Sequence, residues 1–190
     1  MLSTKTAIHL GFNSFHNSFL DVVLFCMTYL GDGVMAVLVV IMLLAVKYRY
    51  AFIVGVSNFI SAIITQILKQ TLFADVVRPK KFFEGVHDLY FVPGVENYLY
   101  NSFPSGHTTC AFSLYLALAF IVKNRMLKLF FFIIALLVGY SRIYLSQHFF
   151  EDVYVGSLIG VLTTICVYYF IQKGNSDWME KSIVTSFRNQ

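Results

Sequence analysis

Long apolar runs broken by short polar knots set the pattern of this 190-residue chain. They cover Phe19–Leu30, Val34–Val46, Ala51–Leu68, Pro104–Val122, Leu127–Ile143 and Phe149–Ile171. Each predicts a helix, because a chain in hydrocarbon must satisfy its backbone polar groups within itself. The expected fold is all-α, a six-transmembrane-helix bundle. The first two runs fall short of the ~20 residues of a straight span and must borrow from their flanks. Residues 1–16 mix apolar and polar groups and read as an interfacial lead-in. Residues 73–103 form the one long connection, and 172–190 a polar tail whose Trp178 suits the membrane interface. No linker or repeat divides the chain, so 1–190 reads as a single membrane-embedded domain. The N-terminus lacks the apolar core of a signal peptide, and no removal is expected.

Composition narrows the class. With 58% hydrophobic and 13% charged residues, the chain is too apolar for an ordinary soluble domain, and no nucleic-acid partner is expected. Cys26, Cys110 and Cys166 each sit in an apolar run without metal or redox spacing and read as small buried hydrophobes. His9 and His16, without a third ligand, read as surface groups rather than a metal site. In the third run Asn58, Ser61, Thr65 and Gln66 share a helical face that continues to Lys69, a stripe expected to point into the bundle.

Six spans would put both termini on one side. Lys5, Lys47, Arg49, Lys123, Arg125, Lys128, Lys173, Lys181 and Arg188 lie there, against Lys69, Arg78, Lys80, Lys81 and Arg142 opposite. The positive-inside rule makes the termini cytoplasmic. The smaller set opposes that bias and needs another reason to exist. It shares its side with Ser141–Asp152, where an arginine, a histidine and two acids stand between apolar runs. His148 and Asp152 are four apart and share a face if a helix starts near His148. A carboxylate there can hold one imidazole nitrogen and aim the other, but Glu151 is also within reach and spacing does not choose between them. Pro104-Ser105-Gly106-His107 opens another run, where a helix start with a Ser-Gly pair suits an anion. Two histidines, several cations and an acid on one side describe a phosphate site, in which lysine and arginine take the place of a metal. No metal and no cofactor are expected.

Lys69…Arg78-Pro79, Pro104-Ser105-Gly106-His107 and Ser141-Arg142-x5-His148-x3-Asp152 resemble the three signature motifs of the type 2 phosphatidic acid phosphatase superfamily. The second and third fit the family pattern in full. The first has eight residues between lysine and arginine where the family usually has six. The resemblance implies catalytic roles for His148 (nucleophile, forming a phosphohistidine), His107 (general acid) and Asp152 (orienting His148, so that the pattern selects it over Glu151). It implies phosphate binding by Lys69, Arg78, Ser105, Gly106 and Arg142. The implied activity is metal-independent removal of phosphate from a membrane lipid on the extracytoplasmic side, in a bacterial inner membrane. Lipid A phosphates are the first expectation, and undecaprenyl diphosphate, or transfer of the phosphate to an acceptor lipid, the alternative. Within the connection, Lys80, Lys81 and His87 are the expected headgroup contacts.

Overall fold

The computed structural model describes residues 4–174 and 176–188, so the outermost parts of the lead-in and of the tail lie outside the described residues. All regular elements among them are helical: α1 (Thr4–Asn13), α2 (Ser18–Tyr29), α3 (Gly33–Val46), α4 (Tyr48–Ile67, prolonged by a π-helical turn, Leu68–Leu72), α5 (Pro79–Phe82), α6 (Gly106–Ile121), α7 (Arg125–Tyr144), α8 (Phe150–Lys173) and α9 (Ile183–Arg188). Polar residues in the knots start these helices. Asn17, Asp32, Ser105 and Asn124 are N-caps whose side chains accept from the first free amides. Tyr48–Leu72, Arg125–Tyr144 and Phe150–Lys173 are long and apolar enough to cross a membrane; α2 and α3 qualify only as a pair bent by 54°, and α6 is shorter. Phe59, Phe132, Leu162 and Phe170 are exposed on the outer faces, the reverse of a soluble domain. The protein is an integral membrane protein.

α6 is the central element, flanked by α4, α7 and α8. Its contact with α8 depends on glycine. A Cβ on Gly156 would lie 2.7 Å from the Ser105 carbonyl oxygen, and one on Gly160 2.5 Å from that of Thr109. The backbones can therefore approach, as small residues allow between helices in hydrocarbon. Thr164 Oγ1 then donates to Ser113 Oγ at 3.0 Å and Thr65 Oγ1 of α4 to Thr109 Oγ1 at 3.3 Å. The polar stripe of α4 does face inward at Ser61 and Thr65, whereas Gln66 is exposed.

Three expectations are corrected. Lys5 of α1 pairs with Glu151 at the start of α8, and His9 packs against Phe149. The C-terminal segment is fastened at the other end, where Glu180 pairs with Lys47 and Arg49. The two terminal segments thus lie at opposite ends of the bundle, not together. α2 explains the difference: its start meets Tyr144 through Asp21, and its end meets Arg142 through Thr28. Both contacts are at one end of α7, so α2 stays in that half of the molecule. His9, expected at the surface, is 1% exposed and stacked on Phe83. Cys26 and Cys166 are exposed rather than buried.

Candidate active site

Four helix ends meet at the end of the bundle that carries α1. α4 brings Lys69 in its π-helical turn, α6 brings Ser105 and Gly106 at its start, α7 brings Arg142 in its last turn, and α8 brings Asp152 in its first. The loop between α7 and α8 supplies His148, which is 2% exposed. Its Nδ1 lies 3.3 Å from Asp152 Oδ2, which leaves Nε2 as the free nitrogen. Asp152 is itself fixed: Oδ2 accepts from Phe149 N at 2.9 Å and from Ser102 Oγ at 2.5 Å. Glu151, the alternative by spacing, is exposed and turned to Lys5. Asp152, and not Glu151, is therefore the acid that lies beside His148.

The cations surround this pair. Lys69 Nζ donates to the Asn101 carbonyl at 3.0 Å, and Arg78 Nη2 to the same oxygen at 3.3 Å. The longer gap between these two residues is taken up by the π-helical turn and the bend after it, so both still reach one point. Arg78 also donates to the carbonyls of Tyr100 and Gln147. Arg142 Nη1 donates to Thr28, while its Nε has no hydrogen-bond partner among the described residues. Burial, and then the positive charge of Arg78 and Arg142, push the His148 imidazole well below its ordinary pKa. Burial likewise lowers Arg78, with Asp152 opposing the shift.

Ser105 caps α6, accepting from Thr108 N at 3.4 Å and Thr108 Oγ1 at 2.9 Å. Its own N–H donates to the Asp152 carbonyl at 2.9 Å, which locks the starts of α6 and α8 together. A Cβ on Gly106 would meet open space, so there is room beside the start of α6, where a helix N-terminus favours an anion. His107 is half-buried beside Asp32, its Nε2 3.7 Å from Asp32 Oδ2. From this point a cavity of about 530 Å³ opens between α3 and α4, lined by Asp32, Asn58, Thr109 and the apolar Val37, Ile41 and Phe59.

Not all expected residues converge. Lys81 pairs with Glu84 one turn on, at 2.5 Å, Lys80 is exposed, and His87 meets Phe83. None of the three contacts the groups around His148. Ser102, Thr28 and Asp32 do belong to the surroundings of the site and were missed; each is a single polar residue outside any spaced motif. The connection between α5 and α6 is fastened by Tyr90, whose hydroxyl donates to Asp21 at 2.6 Å and whose backbone bonds Asn13 in both directions.

The chain is similar to several known proteins. A stretch of 80 residues is 39% identical to the bacitracin transport permease protein BcrC of Bacillus licheniformis, covering 42% of this chain and 38% of that one. Another 80-residue match is 35% identical to the lipid A 4'-phosphatase of Porphyromonas gingivalis, covering 42% and 34%. The aligned stretches thus span less than half of these relatives. Solved structures align over more. The structure of LpxE from Aquifex aeolicus superposes with a TM-score of 0.76 at 26% identity, over 86% of this chain and 93% of that one. A PAP2-type phosphatidylglycerolphosphate phosphatase from Bacillus subtilis gives 0.74 at 26%, over 92% and 88%. The family model of the PAP2 superfamily matches residues 50–176, which include Lys69, His107, His148 and Asp152, and the chain belongs to that superfamily.

Proposed function

We propose that this protein is a lipid phosphate phosphatase that works through a phosphohistidine on His148. The observation that carries the reading is the buried His148–Asp152 pair, at 3.3 Å, with Lys69, Arg78 and Arg142 drawn round it from three separate segments. Asp152 holds Nδ1, so the Nε2 lone pair attacks phosphorus. As the N–P bond forms the P–O bond breaks, and its electron pair leaves on the ester oxygen, which takes a proton from His107 and departs as the alcohol. Lys69, Arg78, Arg142, Ser105 and the Gly106 amide hold the phosphoryl oxygens and offset their charge. Water then attacks phosphorus and returns a proton to His107. The P–N bond breaks, its electrons go back to Nε2, and inorganic phosphate is released.

A lipid substrate is supported by the cavity beside His107, which lies between α3 and α4 and has a mostly apolar lining with a few polar groups. Among lipids, lipid A phosphates come first, on the similarity to the Porphyromonas gingivalis enzyme. Phosphatidylglycerol phosphate follows, on the fold shared with the Bacillus subtilis enzyme. The end away from the site carries Lys47, Arg49, Lys123, Arg125, Lys128, Lys173 and Lys181 and is assigned to the cytoplasm. This puts the site and α1 on the extracytoplasmic side. The test is phosphate release by purified protein, with chelator present, across lipid A, undecaprenyl diphosphate, phosphatidylglycerol phosphate and phosphatidic acid. Release from at least one, lost in His148→Ala, is expected. No release from any of them, or equal release by the variant, would overturn the reading.

A further inference from the structure

Asp32 ends the turn between α2 and α3. One carboxylate oxygen, Oδ1, caps α3 by accepting from Val34 N at 2.8 Å. The other, Oδ2, is the atom 3.7 Å from His107 Nε2, within ion-pairing range and longer than a hydrogen bond. The turn is placed by contacts that involve neither side chain. A Cβ on Gly31 would fall 2.8 Å from the His107 carbonyl oxygen and 2.5 Å from Val138, so only glycine lets this turn sit against the start of α6. Tyr115 Oη donates to the Leu30 carbonyl at 3.0 Å, and Cys110 Sγ to that of Asp32 at 3.6 Å, which tie the turn to α6 twice more.

The charges round His107 give this placement a purpose. Arg142 acts on it from α7, Lys69 from the end of α4 and Arg78 from the connection, with His148 across the site; Asp32 is the one carboxylate among these groups. A phosphatase needs those cations for the phosphoryl oxygens, yet cations disfavour the imidazolium that the general acid must be. A carboxylate against one ring nitrogen leaves the other for the substrate, which resolves the conflict without removing a cation from the phosphate site.

We propose that Asp32 is a positioning residue for the general acid, its carboxylate ion-paired with the Nε2 side of His107 so that Nδ1 carries the transferable proton. The proposal rests on the phosphatase reading above. When the P–O bond breaks, the Nδ1 proton moves to the departing oxygen, and His107 is left neutral as the Nε2–H tautomer still held by Asp32. The water of the second step restores the Nδ1 proton. Asp32 lies outside all three motif segments.

The experiment compares wild type with Asp32→Asn, which keeps the α3 cap but removes the charge. The readout is kcat/KM on a lipid phosphate monoester, whose alkoxide needs protonation, and on p-nitrophenyl phosphate, whose leaving group needs little. The lipid ester is expected to lose about tenfold, less than the ~100-fold or more of a proton-transfer group itself because Asp32 acts through His107 and is partly exposed, and the aryl ester clearly less. The alkaline limb of the lipid pH profile moves to lower pH, and Asp32→Glu recovers part of the loss. Equal losses on both esters with the alkaline limb in place, or full activity in Asp32→Asn, would overturn the proposal. If Asp32→Asn does not fold, Asp32→Ser keeps a capping oxygen and is read by the same comparison. Absence of lipid turnover in wild type would instead sink the phosphatase reading itself.

Discussion

Burial, more than any single partner, sets the protonation of two histidines, His148 and His9. His148 is held neutral, so its lone pair is available well below the ~6.5 of a free imidazole. The acid limb of the rate profile should accordingly lie well below the ordinary histidine value; a limb near ~6.5 in kcat/KM would contradict a buried nucleophile. His9 is lowered to about 4, chiefly by burial, with Asp152 opposing. Unfolded, it takes a proton below ~6.5, so between roughly 4 and 6.5 the unfolded state binds more protons and stability is lost as the pH falls. His9→Phe, an aromatic ring in a slot already walled by Phe83 and Phe149, should raise the melting temperature at about pH 5 more than at about pH 8. An equal change at both would mean His9 does not titrate there. At this scale the sequence was informative where residue types repeat at a spacing. His148 and Asp152 could be paired on helical geometry, and the family pattern chose Asp152 over Glu151. Ser102 and Asp32 could not be found, because a lone serine or aspartate in a turn carries no period.

Helix contacts were half legible. Gly156 and Gly160, four apart in an apolar run, mark a face where another backbone comes close, but nothing in the run names α6 as the partner. Gly160→Ala should push α6 and α8 apart at the Thr109 carbonyl and cost about 1–3 kcal/mol. Thermal melting in detergent would show it, and an unshifted melt would mean the helices can part freely. The polar stripe of α4 was read correctly at Ser61 and Thr65 and not at Gln66, which a longer side chain carries out to the cavity wall. In the connection, Lys81 is engaged by Glu84, so a headgroup role there rests more on Lys80. Lys80→Ala with Lys81→Ala should weaken large anionic lipids more than a short soluble phosphate ester. Equal loss on both would assign the segment to the fold alone.

Across the whole molecule, the apolar runs were all found as helices, but their number did not settle the topology. The run Phe19–Leu30 has the composition of a span, and only its partners, Tyr144 at one end and Arg142 at the other, reveal that it stays in the catalytic half. Composition reports what a segment can be buried in, not the direction in which it runs. This moves α1 to the catalytic end. Ser14→Cys should therefore react with a membrane-impermeant thiol reagent from the extracytoplasmic side, in a background whose native cysteines are replaced. Lys123→Cys should react only after permeabilisation. Labelling of both from one side would restore the arrangement with the two termini together.

The central claim is that His148 carries the phosphoryl group, and rapid-quench trapping with a phosphate-labelled lipid tests it most directly. With chelator present, wild type should yield an acid-labile, base-stable label on the protein that disappears as free phosphate forms. His148→Ala should yield none, and Asp152→Asn should form it slowly. A label that survives in His148→Ala, or turnover that needs added metal, would contradict the account.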